Sequence, residues 1–212
     1  MMESLDKAPV TKCLLCICIV LSLLVSLGIL YPFDLFFSMK MIRKYHQIWR
    51  ILTSFFYFGD FSAGMVFQLI SFVQYSSTVE KGLFSGQPID YIIFLVFGMT
   101  MITTISEWFF TPLFFDIHLI SYLTYYWSKH YGDQIVRLSI IPFPVKVQYL
   151  PIAVLVLRYN DNGMKVIVPS LLGYAISHIY FFVHDVINTK FHKNFFRAPE
   201  CILKPNSMNK EV

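Results

Sequence analysis

Six apolar stretches, separated by more polar segments, constrain the fold of this chain of 212 residues more than any other feature. The first, 13–30, has 18 residues and no charge, and a helix needs about 20 predominantly apolar residues to cross the hydrocarbon core of a bilayer. The composition agrees, because 56% of the residues are hydrophobic and only 14% are charged. So little charge cannot coat a soluble protein of this size. The sequence predicts an integral membrane protein.

The predicted fold is an all-α bundle of six transmembrane helices. We place the spans at 13–30, 61–79, 89–110, 113–127, 147–157 and 164–184, after an N-terminal segment 1–12 and before a tail 185–212. Turn-forming and charged residues, such as those at 80–82, separate the spans. The fifth span is short and contains Pro151, and we expect the regular part of the sixth to begin at Pro169. Short spans are accommodated by local thinning of the bilayer.

The positions of Lys and Arg predict that both termini face the cytosol. Loops on the cytosolic side of a membrane carry an excess of these residues. Eleven of the 17 lie on the side of the termini and six on the other side. The segment 31–54 falls on the opposite, luminal side, and it mixes charged and aromatic residues. That mixture is typical of short amphipathic helices lying in the membrane interface.

One face of the second span is polar. Gln68, Ser71, Tyr75 and Thr78 follow a helical spacing, and Gln74 widens the face. Polar groups in hydrocarbon must be satisfied by protein or by water. The stripe is therefore either hydrogen-bonding contact between helices or a hydrophilic groove open to lipid or to a partner, and the sequence leaves both open.

No pattern in the chain points to a metal, a cofactor or nucleic acid. Cys13, Cys16 and Cys18 have no His or acidic residue nearby, so we interpret them as buried small hydrophobic side chains. A serine nucleophile needs a base within hydrogen-bonding reach and oxyanion donors. Ser121 with His178 is the one dyad that we can assemble, and we expect no enzymatic activity. Intramembrane proteolysis through this dyad and a channel or transporter are the alternatives.

Several motifs, taken in order, resemble those of the Derlin family. They are HQIWRILTSFFYFG at 46–59, EKGLFSGQPIDY at 80–91, YWSK at 126–129, VRL at 136–138, YLP at 149–151 and HIYFFVHD at 178–185. The ordered set is much more specific than any single motif. The resemblance covers residues 9–190, nearly the whole chain.

The resemblance implies a six-span, rhomboid-like pseudoprotease of the endoplasmic reticulum membrane. Derlins serve in the retrotranslocation of misfolded proteins for degradation, so the implied partners are misfolded client proteins, a ubiquitin ligase complex and membrane lipid. A cytosolic AAA ATPase is implied as an indirect partner, because the tail has no glycine for the ATPase-binding box that some Derlins carry. A homo- or hetero-oligomer is left open.

Two family motifs carry over by this resemblance. The Trp-Arg pair of the first luminal loop is Trp49 and Arg50, and the Gly-x3-Gly motif of the last span falls on Gly173 and Ser177, with serine in place of the second glycine. Trp49 suits the interface, and Arg50 is expected to pair with lipid phosphate or to cap helix carbonyls. Small residues let helices pack closely. The rhomboid nucleophile motif Gly-x-Ser-Gly is absent from the fourth span, which argues against proteolysis.

Overall fold

The computed structural model describes residues 8–84, 87–109, 112–136 and 144–187. The predicted N-terminal segment is therefore described only from residue 8 and the predicted tail only up to residue 187. Parts of the motifs at 80–91 and 136–138 also lie outside the described residues, as does the tail region on which the expectation about the ATPase depends.

The described residues form long helices joined by short ones. In chain order the helices are α1 (Pro9–Ser26), α2 (Pro32–Leu35), α3 (Met39–Tyr45), α4 (Trp49–Phe56), α5 (Ala63–Gly82), α6 (Pro88–Phe109), α7 (Asp116–His130), α8 (Leu150–Asn162) and α9 (Met164–Phe181). A 3-10 turn, Val147–Tyr149, leads into α8, and a π-helical turn, Phe182–Ile187, continues α9. Two-residue strands, β1 (Ile135–Val136) and β2 (Val145–Lys146), pair antiparallel between α7 and α8.

Each predicted span overlaps one of the helices, and two of the differences in their boundaries bear on the predictions. Helix α1 ends at Ser26, four residues before the predicted end of the first span, and Gly28 adopts a positive φ of 72° in the turn that follows. Helix α9 begins at Met164 and runs through Pro169, so the expectation that its regular part begins at the proline is wrong. A proline has no backbone N–H to donate. At Pro169 the missing hydrogen bond leaves only the carbonyl of Lys165 without its helical partner, and Lys165 is exposed in the first turn of α9.

Three helices are long and apolar enough to cross a bilayer: Pro9–Ser26, Pro88–Trp108 and Met164–Asp185. Two others are shorter, since α7 has 15 residues and α8 has 13. At 1.5 Å per residue these reach about 20 Å, against about 30 Å of hydrocarbon. A membrane helical bundle is established, and the crossing of the bilayer by α5, α7 and α8 stays a prediction.

Helix α7 lies at the centre of the bundle. Ten of its 15 residues are buried, on every face of the helix, which is typical of a helix surrounded by others. It packs against α5, α6, α8 and α9. Phe94 of α6 joins three of these helices, because its ring centroid lies 4.6 Å from those of Tyr122 and Tyr126 and 4.8 Å from that of Tyr180. Such aromatic pairs add to the energy of simple burial.

A buried carboxylate fixes the start of α1. The Glu80 oxygens accept hydrogen bonds from the backbone N–H groups of Val10 (2.9 Å) and Thr11 (2.8 Å), and from the Thr11 hydroxyl (2.6 Å). Thr11 also hydrogen-bonds to Ser76, whose hydroxyl contacts that of Tyr91 at 2.6 Å. The sequence places Glu80 in a turn between spans, whereas it lies inside α5. It supplies the N-terminal cap that α1 lacks in its own sequence.

A second carboxylate, that of Asp185, connects the C-terminal end of α9 to α7. Asp185 accepts a hydrogen bond from the Tyr126 hydroxyl at 3.3 Å and lies 3.4 Å from His130 Nε2 and 3.0 Å from His184 Nδ1. His184 stacks on Tyr180 one turn earlier. These contacts hold the π-helical turn against the last turn of α7.

Candidate functional site

The Trp-Arg pair begins α4, and its two side chains have opposite environments. Arg50 is only 5% exposed, whereas Trp49 is 55% exposed. Arg50 Nη1 donates to the carbonyl oxygens of Phe33 (2.8 Å) and Phe36 (3.1 Å), and its guanidinium carbon lies 5.0 Å from the Phe36 ring centroid. Gln47 accepts from Nε. Of the two expected roles of Arg50, the structure shows the capping of carbonyls around α2.

Replacing Arg50 with alanine is expected to lower the free energy of unfolding by about 2 kcal/mol, because the carbonyls lose charged donors. Arg50→Lys should recover only part of this loss, since an ammonium lacks the planar fork of a guanidinium. Thermal unfolding of the purified protein in detergent measures both changes.

The control is Arg43→Ala in the neighbouring helix α3. Arg43 is 76% exposed and pairs with Glu107 at 3.7 Å, and such surface pairs contribute about 0–1 kcal/mol. An Arg50→Ala protein as stable as Arg43→Ala would contradict the capping role.

A cavity of about 380 Å³ lies between α5, α7, α8 and α9. Its polar lining comes from Gln68, Ser71 and Tyr75 of α5 and from Arg158 of α8, and its apolar walls from Gly64, Phe67, Ile117, Val154, Leu157 and Val166. The cavity is at the end of the bundle where α5, α7 and α9 begin and α8 ends. Because Glu80 joins the opposite end of α5 to the start of α1, this is the end away from the N-terminus, predicted to face the lumen.

The structure brings together three of the five residues of the predicted stripe. Gln68, Ser71 and Tyr75 line the cavity, but Gln74 and Thr78 do not. The Thr78 hydroxyl donates to the Gln74 carbonyl oxygen at 2.7 Å, a bond within α5 itself. Three residues of the stripe therefore face a cavity, whereas the Thr78 bond lies within one helix and is neither of the two expected arrangements.

Sequence reasoning missed Arg158, which supplies the cavity's positive charge. The sequence places it in the break after the short fifth span, where a basic residue would be assigned to a loop. Helix α8 continues past it to Asn162. Arg158 therefore lies within the helix rather than in a loop, and it lines the same cavity as the α5 side chains.

The small-residue motif lies where α9 packs against α7. Gly173 and Ser177 are buried, and a Cβ atom on Gly173 would lie 2.5 Å from the His118 carbonyl oxygen and 2.9 Å from Ser121 Cβ. The two backbones therefore meet at a distance that only glycine allows. Sequence reasoning missed a second such site, Gly98 of α6, where a Cβ would lie 2.6 Å from the Tyr122 ring.

The proposed serine–histidine dyad is not assembled. Ser121 is buried and its hydroxyl has no hydrogen-bond partner among the described residues. His178 Nδ1 is hydrogen-bonded to the Tyr125 hydroxyl at 2.9 Å instead, on the exposed side of α9. A base engaged by a different side chain does not activate this serine.

The cysteines of α1 differ in part from the expectation. Cys18 is buried, but Cys13 and Cys16 are exposed on the outer face of the helix. In a membrane bundle this face meets lipid, so an apolar side chain needs no protein cover there. Within the part of the chain that the structure describes, no three His, Cys, Asp or Glu side chains are grouped as a metal would require.

The long apolar helices, the central helix α7 and the glycine-mediated α7–α9 contact define an integral membrane helical bundle. The model of the Der1-like family matches residues 8–200, and the chain belongs to this family. It is 30% identical to Derlin-1 of Oryza sativa subsp. japonica, over 92% of this chain and 80% of that protein. It is 28% identical to Derlin-1 of Arabidopsis thaliana and to Derlin-1.1 of Zea mays, over 92% of this chain and 73% and 80% of theirs. The resemblance drawn from the motifs is confirmed.

Proposed function

We propose that this protein is a non-catalytic component of endoplasmic-reticulum-associated degradation that assists the movement of misfolded proteins to the cytosol. Membership of the Der1-like family suggests a role in this degradation and a place in the membrane of the endoplasmic reticulum. The retrotranslocation step, the six-span topology with both termini cytosolic, and the partners belong to the proposal. Those partners are misfolded clients, a ubiquitin ligase complex and, indirectly, an AAA ATPase.

The observation that carries the proposal is the polar-lined cavity beside short helices. A charged side chain at the centre of a bilayer costs about 2.5–3.5 kcal/mol on insertion scales. Gln68, Ser71 and Tyr75 offer polar contacts inside the cavity. Helices α7 and α8, of 15 and 13 residues, favour a thinner bilayer around them. Both features lower the cost of moving a polar segment, and neither requires a bond to be broken.

Neither alternative has a supporting observation of this kind. Proteolysis needs the Ser121–His178 dyad, in which His178 bonds to Tyr125 instead. A channel or transporter would need paired charges around a central site, and the ion pairs Arg43–Glu107 and His130–Asp185 lie at helix ends or on the surface.

The experiment is a pulse-chase of a misfolded luminal glycoprotein in cells that lack this protein and are rescued with variants. Gln68→Leu with Ser71→Ala removes two of the polar side chains that α5 contributes to the cavity, so the client should persist as long as it does without rescue. The matched control is Gln74→Leu with Thr78→Val, which alters the same stripe outside the cavity and should restore turnover.

Two further variants separate the remaining roles. Ser121→Ala should rescue fully, and its failure would favour proteolysis over the proposal. Trp49→Ala removes an exposed ring without touching the buried Arg50 network, so a loss of turnover with this variant would assign Trp49 to client or lipid contact. Equal client turnover in all cells, with or without the protein, would overturn the proposed function.

A further inference from the structure

The guanidinium of Arg158 lies against the cavity with a donor left unused. Its Nη1 atom is buried and makes no hydrogen bond to any described residue, and Arg158 forms no ion pair within the described part of the chain. Buried charged groups are normally paired, because an unpaired charge away from water is costly. The site is therefore built to receive a negatively charged group.

The acidic side chain that interacts with Arg158 does not fill this role. Asp116 is within electrostatic range of Arg158, but the two side chains form no ion pair in the described part of the chain, and Asp116 lies at the start of α7. That placement is the ordinary one for an acidic residue at a helix N-terminus. Asp116 thus partly offsets the positive charge of Arg158 but does not accept a hydrogen bond from its Nη1 atom.

The remaining lining specifies what accompanies the anion. Gln68 Oε1 is also buried without a hydrogen-bond partner, so the ligand must donate a hydrogen bond, as a hydroxyl does. Phe67, Val154 and Leu157 supply apolar wall, and Phe67 is half exposed at the rim. The combination of an anion, a hydroxyl donor and an apolar chain defines an amphiphile.

The volume and position favour a membrane lipid. About 380 Å³ is the space of about a dozen water molecules. That volume holds a phosphate-bearing headgroup but not two acyl chains, which would extend out of the cavity past Phe67. Arg158 directly follows the predicted span 147–157, at the depth where lipid phosphates lie, and a guanidinium matches phosphate geometry with two donors.

We propose that this cavity binds the phosphate headgroup of an anionic phospholipid through Arg158, with Gln68 accepting a headgroup hydroxyl. This binding does not rest on the proposed function, since it requires no client and no transport. It gives the cavity an occupant that a client segment would have to displace.

The test titrates the purified full-length protein in detergent with phosphatidylinositol, whose headgroup carries both an anionic phosphate and free hydroxyls, and counts bound lipid by native mass spectrometry. Arg158→Gln should weaken binding about tenfold or more, as expected when a charged hydrogen bond is lost. The matched control is Lys165→Gln, which removes an exposed positive charge at the start of α9 and should leave binding within about twofold. Arg158→Lys should bind with intermediate strength.

A second variant guards against an effect of misfolding. Val154→Phe fills the cavity from its apolar wall and leaves Arg158 in place, so it should also abolish lipid binding while the melting temperature stays near that of the wild type. Unchanged lipid binding in Arg158→Gln would overturn the proposal. So would displacement of the lipid by millimolar inorganic phosphate, which would identify a site for free phosphate.

The two proposals fail in different experiments. If Arg158→Gln slows client turnover but leaves phosphatidylinositol binding intact, the cavity contacts the client directly and the lipid proposal is wrong. If lipid binding is lost while client turnover is normal in every cavity variant, the lipid site stands and the retrotranslocation role of the cavity does not.

Discussion

Replacing Glu80 with alanine should lower the free energy of unfolding by about 3–5 kcal/mol, the largest loss expected from a single polar substitution here. The carboxylate is 3% exposed and receives three hydrogen bonds from the first turn of α1. Without it, the backbone N–H groups of Val10 and Thr11 lose their acceptor, and that of Thr11 is buried. Thermal and SDS unfolding of the purified protein in micelles measure the change.

Two comparisons make this prediction specific to the cap. Glu80→Gln keeps one acceptor oxygen at the same place and should lose about half as much, because the charge is gone but one backbone bond can persist. Glu107→Ala breaks the surface ion pair with Arg43 and should cost at most about 1 kcal/mol. Similar losses in Glu80→Ala and Glu107→Ala would show that the network around Thr11 does not stabilise the bundle.

Replacing Gly173 with alanine should destabilise the protein by about 3 kcal/mol, at the upper end of the usual cost of overpacking. The added methyl group would lie 2.5 Å from a backbone oxygen, that of His118, and a backbone atom in a buried helix cannot rotate away as a side chain can. Helices α7 and α9 must then separate, and every contact along their interface weakens. Gly173→Val should prevent folding altogether.

Gly64→Ala is the matched control for Gly173→Ala. It also replaces a helical glycine, but an exposed one, whose added Cβ would meet only the Ser62 hydroxyl, at 3.8 Å, an ordinary contact. The gain in helix propensity of up to about 1 kcal/mol is common to both substitutions, so Gly64→Ala should be neutral or stabilising. Equal melting temperatures for the two variants would contradict the close approach of α7 and α9.

The sequence predicts the helical character of the bundle and its polar stripe because both depend on local composition. Apolar runs and helical spacing are properties of neighbouring residues, so the long helices and the shared face of Gln68, Ser71 and Tyr75 could be expected before the structure. The close contact at Gly173 follows the same logic, since a small residue on an apolar helix is typical of a packing seam.

The missed features depend on pairs of residues that are distant in the chain. Glu80 caps a helix that begins about 70 positions earlier, and Arg158 reaches a stripe on α5. A side chain at position 98 would clash with the ring of Tyr122, which belongs to another helix. No local pattern contains these relations, and the apolar spacing alone also gave no reason to extend α8 past Arg158.

The capping of α1 by Glu80 has a consequence for the order of synthesis. Helix α1 leaves the ribosome first, but the acceptor for its leading N–H groups is made about 70 residues later, at the far end of α5. Until then water or lipid headgroups must satisfy those groups, which keeps the start of α1 at the membrane surface. The nascent first helix thus starts with its leading N–H groups solvated at the membrane surface, and the arrival of α5 replaces that solvation with the Glu80 carboxylate.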